Sequence, residues 1–113
     1  MKYIKLYEKL KKPKIGDYII CKEENINDEA LTNFLLSNIG QIYKFNYGSY
    51  NLGKLYAYVV EYNNIPKDLE INFREYPEYD KNNLITILPK EIVAFSQNKE
   101  DLGIYINKMK YNL

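Results

Sequence analysis

Two runs of residues constrain this chain more than anything else in it. Lys14-Ile15-Gly16-Asp17-Tyr18-Ile19-Ile20-Cys21-Lys22 is answered by Ile39-Gly40-Gln41-Ile42-Tyr43-Lys44-Phe45. Each has a glycine followed by β-favouring residues, the pattern of a strand opening after a turn. A third run, Lys54 to Tyr62, alternates: Leu55, Ala57, Val59 and Glu61 on one side, Tyr56, Tyr58, Val60 and Tyr62 on the other. Period two over that length predicts a strand with two distinct faces. The turn-rich Gly48 to Gly53 segment predicts that the second and third strands form a hairpin. Leu84 to Leu88, stopped by Pro89, and Ile92-Val93-Ala94-Phe95 complete a set of five strands.

Helical spacing occurs three times. Leu31, Phe34, Leu35 and Asn38 predict a helix over about 28–38, capped by Asn27 or Asp28, with Glu29 placed early to complement its dipole. Leu102, Tyr105, Ile106 and Met109 predict a second helix over about 97–110, capped by Ser96 or Asn98. Gly103 weakens that helix by roughly 1 kcal/mol. Tyr3, Leu6, Tyr7 and Leu10 share a helical face and suggest a short amphipathic helix ended by Pro13. Residues 63–83 are weakly patterned. Leu69, Ile71 and Phe73 alternate there, which suits a short edge strand in an otherwise surface loop.

With 113 residues the chain is expected to be one domain. Residues 1–13 form a basic N-terminal arm or short helix, 14–95 a small barrel, and 96–113 the C-terminal helix. The net charge of +1 conceals two opposite segments. Residues 1–15 carry Lys2, Lys5, Lys9, Lys11, Lys12 and Lys14 against Glu8, a net of +5. Residues 61–80 carry Glu61, Asp68, Glu70, Glu75, Glu78 and Asp80 against Lys67 and Arg74, a net of −4.

The chemistry open to the chain is narrow. It has no histidine and one cysteine, Cys21, so an internal disulfide, a His/Cys zinc site and Ser-His-Asp or Cys-His catalysis are excluded within one chain. Cys21, inside a β-favouring run, reads as a small buried hydrophobe. No Gly-Lys-Ser/Thr follows Gly48 or Gly53, so no phosphate loop is expected. No catalytic residue, metal site or cofactor is expected. The N-terminus lacks an apolar core of signal-peptide length, no run reaches membrane-spanning length, and the expected location is the cytoplasm.

The glycine-opened runs, together with Tyr56-Ala57-Tyr58-Val59-Val60-Glu61-Tyr62, resemble the strand pattern of SH3-like barrels of the KOW kind. Ile92-Val93-Ala94-Phe95 looks like the short closing strand of such a barrel. The whole is similar to small uncharacterised proteins of bacteriophages and mobile elements of low-GC bacteria. The resemblance implies an α+β fold: a strongly bent five-stranded antiparallel SH3-like barrel, with a helix of about 28–38 inserted where these barrels have a short turn, and a C-terminal helix. It also implies a phage-type accessory or anti-defence protein.

The residues themselves support a non-enzymatic module that binds a protein partner. Tyrosine is enriched at interfaces. The contact residues expected are Glu70, Glu75, Glu78 and Asp80 of the acidic loop, with Tyr56 and Tyr58 on the third strand. The alternative is a nucleic-acid-binding barrel that uses Lys9, Lys11, Lys12 and Lys14 with Tyr43, the tyrosines serving as a stacking platform. An exposed third strand can also pair with a second copy as a homodimer.

Overall fold

The structure, a computed structural model, describes residues 12–22, 28–47, 55–76 and 81–111. It is α+β, with one antiparallel sheet and two helices among those residues. In chain order the elements are β1 (Tyr18–Cys21), α1 (Glu29–Ser37), β2 (Gly40–Tyr47), β3 (Leu55–Glu61), a 3-10 turn (Lys67–Asn72), β4 (Arg74–Tyr76), β5 (Lys81–Ile87), a second 3-10 turn (Pro89–Glu91), β6 (Ile92–Ser96) and α2 (Lys99–Tyr111). The helix expected over the first dozen residues and the hairpin loop after Tyr47 lie outside the described residues.

The expected barrel needs correcting in two respects. The sheet has six strands, in the order β4-β5-β3-β2-β1-β6, and it is not closed among the described residues. β2 is shared unequally between its two neighbours. Only the first part of β2 meets β1, at Tyr18↔Gln41 and Ile19↔Gly40. Pairing with β3 runs from Gln41 to Tyr47, through register shifts between Ile42 and Lys44 and between Asn46 and Tyr47. Bulges of this kind bend the strand that carries them.

β1 is seated by the turn that precedes it. Gly16 has φ +94, a conformation that favours glycine. The turn is closed on both sides: Asp17 N–H donates to Lys14 O at 3.0 Å, and Lys14 N–H donates to Asp17 Oδ2 at 2.9 Å. It then docks on β2, where Gly16 N–H donates to Ile42 O and Ile42 N–H donates to Asp17 O, both at 2.9 Å.

The main core lies on one face of the sheet under α1. Ile19 and Cys21 of β1, Ile42 of β2, Tyr58 and Val60 of β3, Ile85 and Ile87 of β5 and Phe95 of β6 pack with Leu31, Phe34 and Leu35 of α1. α1 starts where expected because Asp28 Oδ1 accepts from Leu31 N–H at 3.1 Å, an ordinary N-cap. Three aromatic rings in mutual contact, one of them on α1, close that face. Phe73 meets Phe34 and Tyr62 edge to face, with centroids 6.0 and 5.8 Å away, and Phe34 and Tyr62 are tilted against each other at 5.7 Å. A second, smaller core lies on the opposite face of β1 and β6, where Ile20 and Ala94 meet Leu102 and Ile106 of α2.

Two expectations fail for identifiable reasons. Leu69, Ile71 and Phe73 do not form a strand. Pro66 precedes a 3-10 turn in which Leu69 N–H donates to Pro66 O at 2.9 Å and Phe73 N–H to Glu70 O at 3.0 Å. Leu69 and Phe73, four apart, fall inward, and Ile71 is turned out. β5 also starts earlier than the apolar run, because Asn83 supplies bonds of its own. Its Nδ2 donates to Tyr62 O at 2.8 Å, and its O accepts from Tyr62 N–H at 3.1 Å.

Gly40 has a steric reason that its position after a helix does not reveal. A Cβ there would lie 2.5 Å from Val60 Cγ1 and 2.7 Å from Tyr62 Cζ. The start of β2 is pressed against the Tyr62 ring. Gly40→Ala is expected to destabilise the fold by about 1–3 kcal/mol, the range for overpacking a core. A lowered urea midpoint with an unchanged slope would show it, and an unchanged midpoint would contradict the close approach.

Candidate functional site

Among the described residues, three places stand out: a buried pair, a polar cluster across three strands, and an exposed turn. The buried pair is Cys21 and Tyr62. Cys21 lies on β1 with no exposed surface, as expected of a small buried hydrophobe. Its Sγ is 2.9 Å from Tyr62 Oη, and either atom can donate. Burial, reinforced by the neighbouring thiol, holds the Tyr62 phenol well above its ordinary value. The pair is enclosed by Phe34 and Phe73, so it is a bonded part of the core.

The polar cluster joins β2, β3 and β5. Lys81 Nζ donates to Glu61 Oε2 at 2.6 Å, and Asn83 Nδ2 reaches the same oxygen at 3.4 Å. Lys81 Nζ also sits 5.3 Å from the centre of the Tyr43 ring, within cation–π range. The hydrogen bond to Glu61 holds the Lys81 ammonium above its ordinary value. Lys81 and Glu61 are part-exposed, so solvent screens them and the pair contributes little to stability.

The exposed turn is Lys67–Asn72. Asp68 and Glu70 face solvent, and Ile71 between Glu70 and Asn72 is 91% exposed. The turn is held from beneath. Leu69 and Phe73 are in the main core, and Asn72 Nδ2 donates to Leu69 O at 3.3 Å. Of the other large apolar side chains described, only Ile15 and Ile104 are exposed, at 60% and 50%. Ile71 is therefore the most exposed of them, while Leu69 and Phe73, two residues to either side, are fixed in the core.

The residues expected to bind a partner separate in this geometry. Glu70 is exposed on the turn. Glu75 lies on β4, the strand that follows. Tyr56 lies on β3. Glu78 and Asp80 lie outside the described residues. The surface role expected of Tyr58 is corrected: it is 1% exposed, packed edge-on against Phe45 with centroids 5.6 Å apart. Tyr62 is buried too, so the side of β3 read as a tyrosine platform is the core side. It could have been recognised from Val60, which shares that side and is a poor surface residue.

Of the residues expected to meet nucleic acid, Lys12 and Lys14 are exposed, and Lys9 and Lys11 lie outside the described residues. Tyr43 is half-buried beside Lys81. Among the described side chains of β3, Tyr58 is buried and does not join Tyr43 in a stacking surface. Sequence reasoning missed Ile71, Lys81 and Asn83. For Ile71 the available signal was Pro66 followed by apolar residues four apart.

Comparison with protein-family models, curated proteins and solved structures finds no match to this chain.

The Cys21–Tyr62 pair gives the fold an alkaline limit. Below the phenol's ordinary value of 10.0 the proton is bound in folded and unfolded chains alike. As pH rises past it, the unfolded chain releases the proton while the folded chain retains it, so stability falls. Tyr62→Phe is expected to lower stability at neutral pH by about 1 kcal/mol, the net worth of an ordinary hydrogen bond. The same variant should lose less stability than the parent on going from neutral to strongly alkaline pH. Urea melts across that range check both effects, and parallel pH profiles would refute the assignment.

Proposed function

We propose that the protein is a non-enzymatic interaction module that binds a protein partner through the 67–72 turn and the acidic residues that follow it. The observation that carries this reading is Ile71. A large apolar side chain held almost wholly in water, on a turn whose neighbours are anchored, has no role in the fold's own core. Interfaces use such residues as anchors, surrounded by polar groups that exclude water once the partner is seated. Asp68 and Glu70 border the anchor, and Glu75 follows on β4. The matching surface is an apolar pocket with a basic rim, since opposite charge speeds encounter and rejects acidic competitors.

We also read the sheet as an opened form of an SH3-like barrel. Support comes from the run β1-β2-β3, adjacent in space as in sequence, and from β6 returning beside β1 as a closing strand does. The inserted α1 supports an opened form, since its side chains cover a face that further strand curvature would otherwise cover.

The test is affinity capture with the full chain, followed by identification of the bound protein. The parent should retain one protein at near-stoichiometric level. Ile71→Ser should reduce retention at least about tenfold, as expected for truncation of an interface anchor. Asp68→Lys with Glu70→Lys should slow association most at low salt. Both variants should melt like the parent, because all three side chains are exposed. Undiminished retention by Ile71→Ser overturns the reading, and retention of oligonucleotides in place of protein would favour the nucleic-acid alternative.

A further inference from the structure

α2 covers the face of β1 and β6 turned away from the main core. Its described grip is Leu102 and Ile106 on Ile20 and Ala94, with Tyr105 half-buried at the margin. Ile104 faces outward and is 50% exposed. Between these residues stands Gly103, in the helix interior. Its φ is not positive, so its backbone conformation does not call for glycine. A Cβ built there meets nothing within 4 Å, so crowding does not call for glycine either. The residue weakens the helix with no local return in packing.

The N-terminal end of α2, by contrast, is held. Ser96 Oγ donates to Asp101 Oδ2 at 2.8 Å and accepts from Asn98 N–H at 3.1 Å. Asp101 N–H donates to Asn98 O at 3.2 Å. Beneath the helix, β1 and β6 do not depend on it for their seating. Ile19, Cys21 and Phe95 point into the main core on the other face.

We propose that α2 is a hinged strap. It undocks from β1 and β6 as one unit, at a lower free energy than the sheet opens, with the Ser96–Asp101 network as its pivot. Gly103 keeps the docked state marginal. Undocking uncovers an apolar strip of Ile20 and Ala94, with Tyr18 and Val93 beside it.

Native-state hydrogen exchange on the full chain, resolved by residue, tests this. The amides of Ile104 to Lys108 should share one opening, with protection at least about tenfold weaker than that of Val60 and Ile85. Gly103→Ala should slow their exchange by about fivefold, the factor for the ordinary difference between the two residues in a helix interior. Ile20→Ala, a change outside the helix, should accelerate it, which fraying of an independent helix end would not do. Ile106→Ala makes the same cut from the helix side, should the β1 variant fail to fold. The proposal is overturned if α2 is as protected as the sheet, if protection fades gradually from the C-terminal end, or if the docking-face variant leaves α2 exchange unchanged.

Discussion

The fold depends on the burial of one side chain, Tyr62. Its hydroxyl meets Cys21 of β1. Its ring meets Phe34 of α1 and Phe73 after the 3-10 turn. The same ring is what Gly40 of β2 makes room for. Its backbone exchanges bonds with Asn83 of β5. Two helical segments and three strands other than its own are thus referred to a single residue just past the end of β3. A phenol in such a place must have its hydroxyl satisfied, because an unpaired buried polar group costs more than the bond contributes. The only thiol in the chain supplies that partner.

Much of this architecture was legible in the sequence, for physical reasons. Period two in residues 54–62 and the spacing of Leu31, Phe34 and Leu35 are set by burial, and burial governs where the backbone goes. The strand–helix–strand order from Asp17 to Tyr47 follows from the same signals. Closure was not legible. Whether a sheet becomes a barrel depends on bulges and on what covers its open face, and a bulge at Ile42–Lys44 leaves little trace in residue types. The 3-10 turn at 67–72 was misread because period two and a spacing of four both fit Leu69 and Phe73. Only the environment of Ile71 distinguishes them.

The candidate site was less legible than the fold. Tyrosine is ambiguous, with an apolar ring that suits a core and a hydroxyl that suits water. Tyr58 and Tyr62 took the first option, and in their immediate sequence only Val60 between them marks that side as the core side. The acidic segment was visible as charge, yet charge alone does not locate a contact. The structure adds an exposed apolar residue on a turn anchored by Leu69 and Phe73, and the proposed function rests on that detail.

Burying the chain's only sulfhydryl at this junction has a practical consequence. Cys21 is closed off by the residue on which β1, β2, α1 and the 67–72 turn converge, so alkylating reagents can reach it only when that junction comes apart. Local fluctuations at α2 leave it shielded, because that helix packs on the face of β1 opposite the Cys21–Tyr62 contact. The rate at which the unmodified protein takes up a thiol label therefore serves as a built-in clock for disassembly of the main core, read from a single atom without any engineered probe.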